Sequence, residues 1–165
     1  KMAESVGVPY VVNRWIGGML TNQSEIKKRI NRLEALTHES ESGELERKYT
    51  KKERVMIGRE MDKLVFNFGG IKDMQKTPDY VLVVDPRHDH IAVTEAATRN
   101  IPIIAIMSSD CDASKIAYPV VVNDSLQSSV TLILEEFAAA LKEGMQAYTP
   151  RPVAPRELTP RAPRA

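Results

Sequence analysis

Three groups of residues in this chain have types and spacings that could do chemistry. The first is the run Arg14 to Asn22, RWIGGMLTN. An arginine can meet a phosphate, the neighbouring indole can stack on a base or sugar, and two small residues let backbone N–H groups approach an anion closely. Arg14, Trp15, Gly17, Gly18 and Asn22 are therefore candidate RNA contacts. A plainer reading is that Trp15 and Met19 plug the root of the helical hairpin that follows while the glycines merely turn the chain, and the two readings are compatible.

The second group is basic: Lys27, Lys28, Arg29 and Arg32 in one stretch, with Arg47, Lys48, Lys51, Lys52 and Arg54 in another. Such side chains neutralise phosphates and give a salt-dependent, sequence-independent share of affinity. The competing reading is a solvated helix face laced with ion pairs, since Glu25 and Arg29, and Glu34 and His38, stand four residues apart. The doublets single out Lys27, Lys28, Arg29, Lys51 and Lys52 as the phosphate-neutralising set.

The third group is Asp85, His88, Asp89 and His90, followed by Asp110, Cys111 and Asp112. Each cluster follows an apolar run of strand length. Ligands of open α/β sheets bind outside the carboxyl ends of strands, and histidine, carboxylate and thiolate are zinc ligands. Against this, no GxGxxG or GxxxxGKS phosphate loop is present and no nucleophile has an evident base partner. Asp89 and Asp110 serve equally well as cap or turn residues. The reading adopted is no metal, no cofactor and no catalytic residue; a metal- or nucleotide-binding α/β enzyme domain is the alternative.

These groups need elements to hold them. A chain of 165 residues with 42% hydrophobic side chains suits one domain with appendages. No apolar run approaches the roughly 20 residues of a membrane helix, so no membrane partner is expected. One cysteine excludes an internal disulfide framework. Lys1 to Gly7 lacks a secretory pattern and does not begin with Met, and it reads as the end of a helix begun upstream. The net charge of +1 hides an asymmetry: residues 1–76 carry 15 basic and 11 acidic side chains, residues 77–149 carry 4 and 10, and residues 150–165 carry 4 and 1.

Tyr10, Val11 and Val12 after a proline predict a short strand. Asn22 with Glu25 has the form of a capping box opening a helix striped by Ile26, Ile30 and Leu33. A polar tip follows, then a second box at Thr50 and Glu53 and a stripe of Ile57, Met61, Leu64 and Phe68. Two narrow stripes predict an antiparallel helical hairpin projecting from the domain, with the glycine pairs of RWIGGMLTN and FGGIKDM (68–74) at its root. Beyond it the order is strand (80–84, buried on both faces), helix (about 89–99), strand (102–107), short strand (about 119–122) and helix (about 125–143). That alternation predicts a parallel sheet, small enough to suggest further strands upstream. Residues 149–165 hold five of the ten prolines among arginines and predict a disordered basic tail.

In this order, RWIGGMLTN, the charged hairpin, FGGIKDM, VLVVDPRHDHIAVTEA and IPIIAI resemble the bacterial-type family of the second protein of the small ribosomal subunit, over about residues 9–125. The resemblance implies a flavodoxin-like α/β domain, incomplete at its N-terminus here, with a protruding antiparallel coiled-coil hairpin. The divisions would be 1–21 with 69–148 for the α/β domain, 22–68 for the inserted hairpin and 149–165 for the tail.

It also implies a non-enzymatic structural role at the junction of head and body, with small-subunit rRNA and other ribosomal proteins as partners. Among these is the large first protein of the small subunit, which helps capture messenger RNA. The location would be the cytoplasmic ribosome, or an organellar one. Ser108–Ala113 (SSDCDA) and Asn123–Leu126 depart from the family's usual DTNCDP-like turn and NDDA helix start. A pure protein-interaction module, its hairpin pairing with a partner helix, is a third reading of the same charges.

Overall fold

A computed structural model describes residues 1–148. The elements are α1 (Met2–Val6), α2 (Gln23–Glu41), α3 (Glu44–Lys48), α4 (Lys51–Phe68), a 3-10 turn (Gly69–Ile71), β1 (Val81–Val84), α5 (His90–Thr98), β2 (Ile103–Met107), β3 (Tyr118–Val121) and α6 (Gln127–Ala147). The tail expected at 149–165 lies outside the described residues.

The runs VLVV and IIAIM are rich in β-branched residues, which suit a pleated surface. They form the parallel sheet β1-β2-β3, with Val81 opposite Ile103 and Ile104 opposite Tyr118. Alternation sends Val83, Ile103, Ala105 and Met107 to one face, where they pack with Val93 and Ala96 of α5, and with Leu20, Ile101 and Ile116.

The expectation that strand 80–84 is buried on both faces is corrected. Only Val83 in β1 is buried, and Tyr80, just before it, is 55% exposed beside Tyr118. The reason is that α6 packs against α1 and buries none of its own residues fully, so the face of β1 opposite Val83 has thin cover.

Helices α2 and α4 share a second apolar cluster. Ile26, Ile30, Leu33 and Leu36 of α2 meet Leu64 and Phe68 of α4, with Ile57 and Met61 half-buried alongside, and Met19 and Ile71 close the base. Fully burying such a side chain is worth about 1.5–3 kcal/mol, so this seam holds the two helices together. Arg32 reaches Glu60 across them at 3.2 Å.

The Thr50 box forms as predicted: the Thr50 N–H donates to Glu53 at 2.8 Å and the Glu53 N–H returns to the Thr50 hydroxyl at 3.5 Å. The Asn22 box does not form. Asn22 is the N-cap, but its side chain accepts no backbone N–H; it accepts from the Ser24 hydroxyl, while Glu25 pairs with Lys28.

The strand predicted at Tyr10–Val12 is also corrected, since no ladder runs through it. Its neighbour is the base of α4 and not a sheet edge, and Tyr10 there donates its N–H to the Gly70 carbonyl at 2.9 Å. The approach is close enough that a Cβ on Gly70 would sit 2.3 Å from the Tyr10 carbonyl oxygen and 2.7 Å from its ring. Only glycine fits.

Candidate nucleic-acid interface

The Arg14–Asn22 loop packs against helix α5, Leu20 against Val93 and Ala96, and its polar contacts with that helix converge on one residue. Glu95 is the one buried polar or charged side chain among the described residues, 7% exposed, and no cation pairs with it there. Its Oε1 accepts from the Trp15 indole N–H at 3.2 Å and the Gly18 N–H at 2.6 Å. Its Oε2 accepts from the Leu20 N–H at 3.0 Å, the Thr21 N–H at 3.1 Å and the Thr21 hydroxyl at 3.0 Å. The chain can curl this tightly because Gly18 takes φ +98°, a conformation that side chains resist.

Burial by itself disfavours the charged carboxylate, but the donors from Gly18, Leu20, Thr21 and Trp15 together outweigh it. The pKa of Glu95 is held below the usual glutamate value. Gly18 thus lets N–H groups of the loop close on an anion, and the anion they meet is the protein's own carboxylate.

Of the five loop candidates, Trp15 and Gly18 are engaged with Glu95, while Arg14, Gly17 and Asn22 are exposed. The Trp15 ring packs against both apolar clusters, as the plainer reading of the run expected. Asn13 ties the loop to α4 by donating its side-chain N–H to the Phe66 carbonyl at 2.7 Å. Sequence reasoning missed Glu95. The signal was present: it lies within Ala92, Val93 and Ala96, the buried positions of α5, where a carboxylate needs donors.

The five predicted cations, Lys27, Lys28 and Arg29 on α2 and Lys51 and Lys52 on α4, are all exposed. Lys28 is paired with Glu25 at 2.5 Å, three residues apart, whereas the anticipated pairs Glu25–Arg29 and Glu34–His38 are absent among the described residues. Lys27, Arg29, Lys51 and Lys52 take part in no ion pair there. Other basic residues do: Arg32 with Glu60, Lys48 with Glu44 and Arg54 with Glu46. Lys51 and Lys52 line a shallow groove on α4 together with Val55, Met56 and Arg59.

At the carboxyl ends of the strands, Asp85, Cys111 and Asp124 bring ligand atoms within 4.8 Å of one another. His88 and His90 belong to no such group among the described residues, and His88 faces Asp89 at 3.3 Å. The carboxylates already serve the backbone: Asp85 accepts from the Arg87 and His88 N–H groups, both at 3.1 Å, and Asp124 from the Ser108 N–H at 3.0 Å. A local turn accounts for Asp85, and Asp124 ties the end of β3 to the end of β2.

A family model described as ribosomal protein S2 matches residues 1–144. The small ribosomal subunit protein uS2 of Mycobacteroides abscessus is 47% identical over 145 residues, covering 88% of this chain and 52% of that protein. That of Nocardia farcinica is 48% identical over 145 residues, covering 88% and 50%. That of Micrococcus luteus is 44% identical over 148 residues, covering 88% and 51%. The chain spans about half the length of the curated relatives it matches.

Proposed function

From the premise that this chain belongs to the ribosomal protein S2 family, we propose that it is a non-catalytic structural constituent of the small ribosomal subunit, binding rRNA and neighbouring proteins in support of translation. The matched relatives are named as small-subunit ribosomal proteins. The reading takes residues 1–21 with 69–148 as part of a flavodoxin-like domain, residues 22–68 as an inserted coiled-coil hairpin and 149–165 as a basic tail. The partners are small-subunit rRNA and other proteins of that subunit, including its large first protein, and the location is the cytoplasmic ribosome. Among the described residues, no helix is long and apolar enough to cross a membrane.

The observation that supports RNA contact most directly is that Lys27, Arg29, Lys51 and Lys52 are exposed and free of ion pairs among the described residues, whereas Lys28, Arg32, Lys48 and Arg54 are paired. An unpaired cation gives up no protein partner when it meets a phosphate. In this reading Arg14, Gly17 and Asn22 supply contacts at the hairpin root, and Trp15 and Gly18 contribute by shaping the loop. Lys28 joins the phosphate contacts by exchanging Glu25.

The test is binding to purified small-subunit rRNA across a salt series. Affinity should fall steeply with salt, and the logarithmic slope should shrink by about 0.7–0.9 for each of Lys27, Arg29, Lys51 and Lys52 replaced by Gln. A slope that these replacements leave unchanged would sink the electrostatic assignment.

A further inference from the structure

We propose that Glu95 is the positioning residue of the Arg14–Asn22 loop: its carboxylate, fixed on α5 against the sheet, holds that loop in the conformation that presents Arg14 to RNA. This rests on the reading that the loop meets rRNA, and it assigns control of that contact to a residue that touches no RNA itself.

The two oxygens divide their work. Oε1 serves Trp15 and Gly18, and Oε2 serves Leu20 and both donors of Thr21. Five donors need a group that only accepts, with several lone pairs in one plane, and an ionised carboxylate is that group. A glutamine would keep one acceptor oxygen and turn an NH2 toward N–H groups that cannot accept from it. With no cation at hand among the described residues, the loop donors are the only compensation for the buried charge. Carboxylate and loop conformation therefore depend on each other.

Helix α5 lies between β1 and β2 in the chain and packs on both, so Glu95 carries the position of the sheet into the loop. The Asn13 bond to the Phe66 carbonyl carries the position of α4 into the other side. Arg14 stands between these two anchors in the chain and is exposed.

The experiment uses the 165-residue chain, whose single tryptophan is Trp15, so intrinsic fluorescence reports on the clasp itself. Glu95→Gln, Thr21→Val and Arg14→Gln are compared for Trp15 emission and iodide quenching, for far-UV circular dichroism, and for affinity to purified small-subunit rRNA at fixed salt. Glu95→Gln is expected to expose Trp15 and to weaken binding about tenfold. Thr21→Val, which removes one of the five donors, should move both readouts in the same direction and less. Arg14→Gln should weaken binding without exposing Trp15.

An unchanged Trp15 signal in folded Glu95→Gln overturns the positioning role. An exposed Trp15 with unchanged affinity overturns it too if Arg14→Gln weakens binding. If Arg14→Gln is also silent, it is the loop's contact with RNA that fails. Should Glu95→Gln lose its far-UV signal, Thr21→Val decides: Trp15 exposure and weaker binding support the role, and two unchanged readouts overturn it.

Discussion

The root and the arms of the α2–α4 pair both deal with anions, and they do so by opposite physics. At the root a single carboxylate is buried and enclosed by fixed donors, and a glycine is needed because two backbones nearly touch. Along the arms the cations are exposed and solvated, and their apolar seam tolerates any residues of fitting size. Position at the root is set by short-range geometry that salt barely reaches, whereas attraction along the arms is long-range and screened within about 8–10 Å at physiological ionic strength. Bulk charge in such a protein therefore says more about how tightly it binds than about where.

Replacements at the root should therefore cost stability, and those of the exposed arm cations should not. The largest effect is expected for Glu95→Ala, which strands several buried donors and should destabilise the chain by about 3 kcal/mol in chemical denaturation. The same residue predicts a pH dependence. Its folded pKa lies below the unfolded value near 4.5, so its contribution is complete above that value and is lost as pH falls through the lower folded one. Glu95→Gln should flatten this acid limb of a stability profile.

Next comes Gly70→Ala, where the new methyl group meets the Tyr10 carbonyl; a loss of about 2 kcal/mol is expected, and a thermal melt like that of the unmodified chain would break the claim that the root is tightly fitted. Thr50→Ala, which removes the cap of α4, should cost about 1 kcal/mol. Smallest of all, Lys51→Gln with Lys52→Gln should leave stability within about 0.5 kcal/mol while reducing the salt slope of rRNA binding. A large stability loss in that last variant would erase the distinction between root and arms.

The sequence made the α/β alternation legible because VLVV and IIAIM are short, strongly β-branched and bounded by turn residues, and the Thr50–Glu53 spacing is a local signal with a local outcome. The misreadings share a cause. Tyr10–Val12 has the composition of a strand, but its partner lies 60 residues away in the turn that follows α4. Asn22 and Glu25 have the spacing of a capping box, yet each found a competitor, Ser24 and Lys28. Glu95 was invisible to motif reading because its partners are mostly backbone N–H groups, which every non-proline residue carries. Only its place on the buried side of α5 marked it. The arm cations were readable as a class, but which of them stay unpaired depended on side-chain geometry that spacing alone does not resolve.

The Glu95 clasp also bears on the order in which the chain assembles. Its donors precede it by 74 to 80 residues, whereas the Arg32–Glu60 contact between the arms spans only 28. Closing the shorter loop costs less entropy, so contacts between the arms are favoured early and the root closes late. At a synthesis rate of about 5–20 residues per second, the loop waits roughly 4–15 s after its own emergence before its anion is made. Throughout that interval water must satisfy the N–H groups of Gly18, Leu20 and Thr21, and the arrival of α5 turns a paired set of helices into one positioned against the sheet.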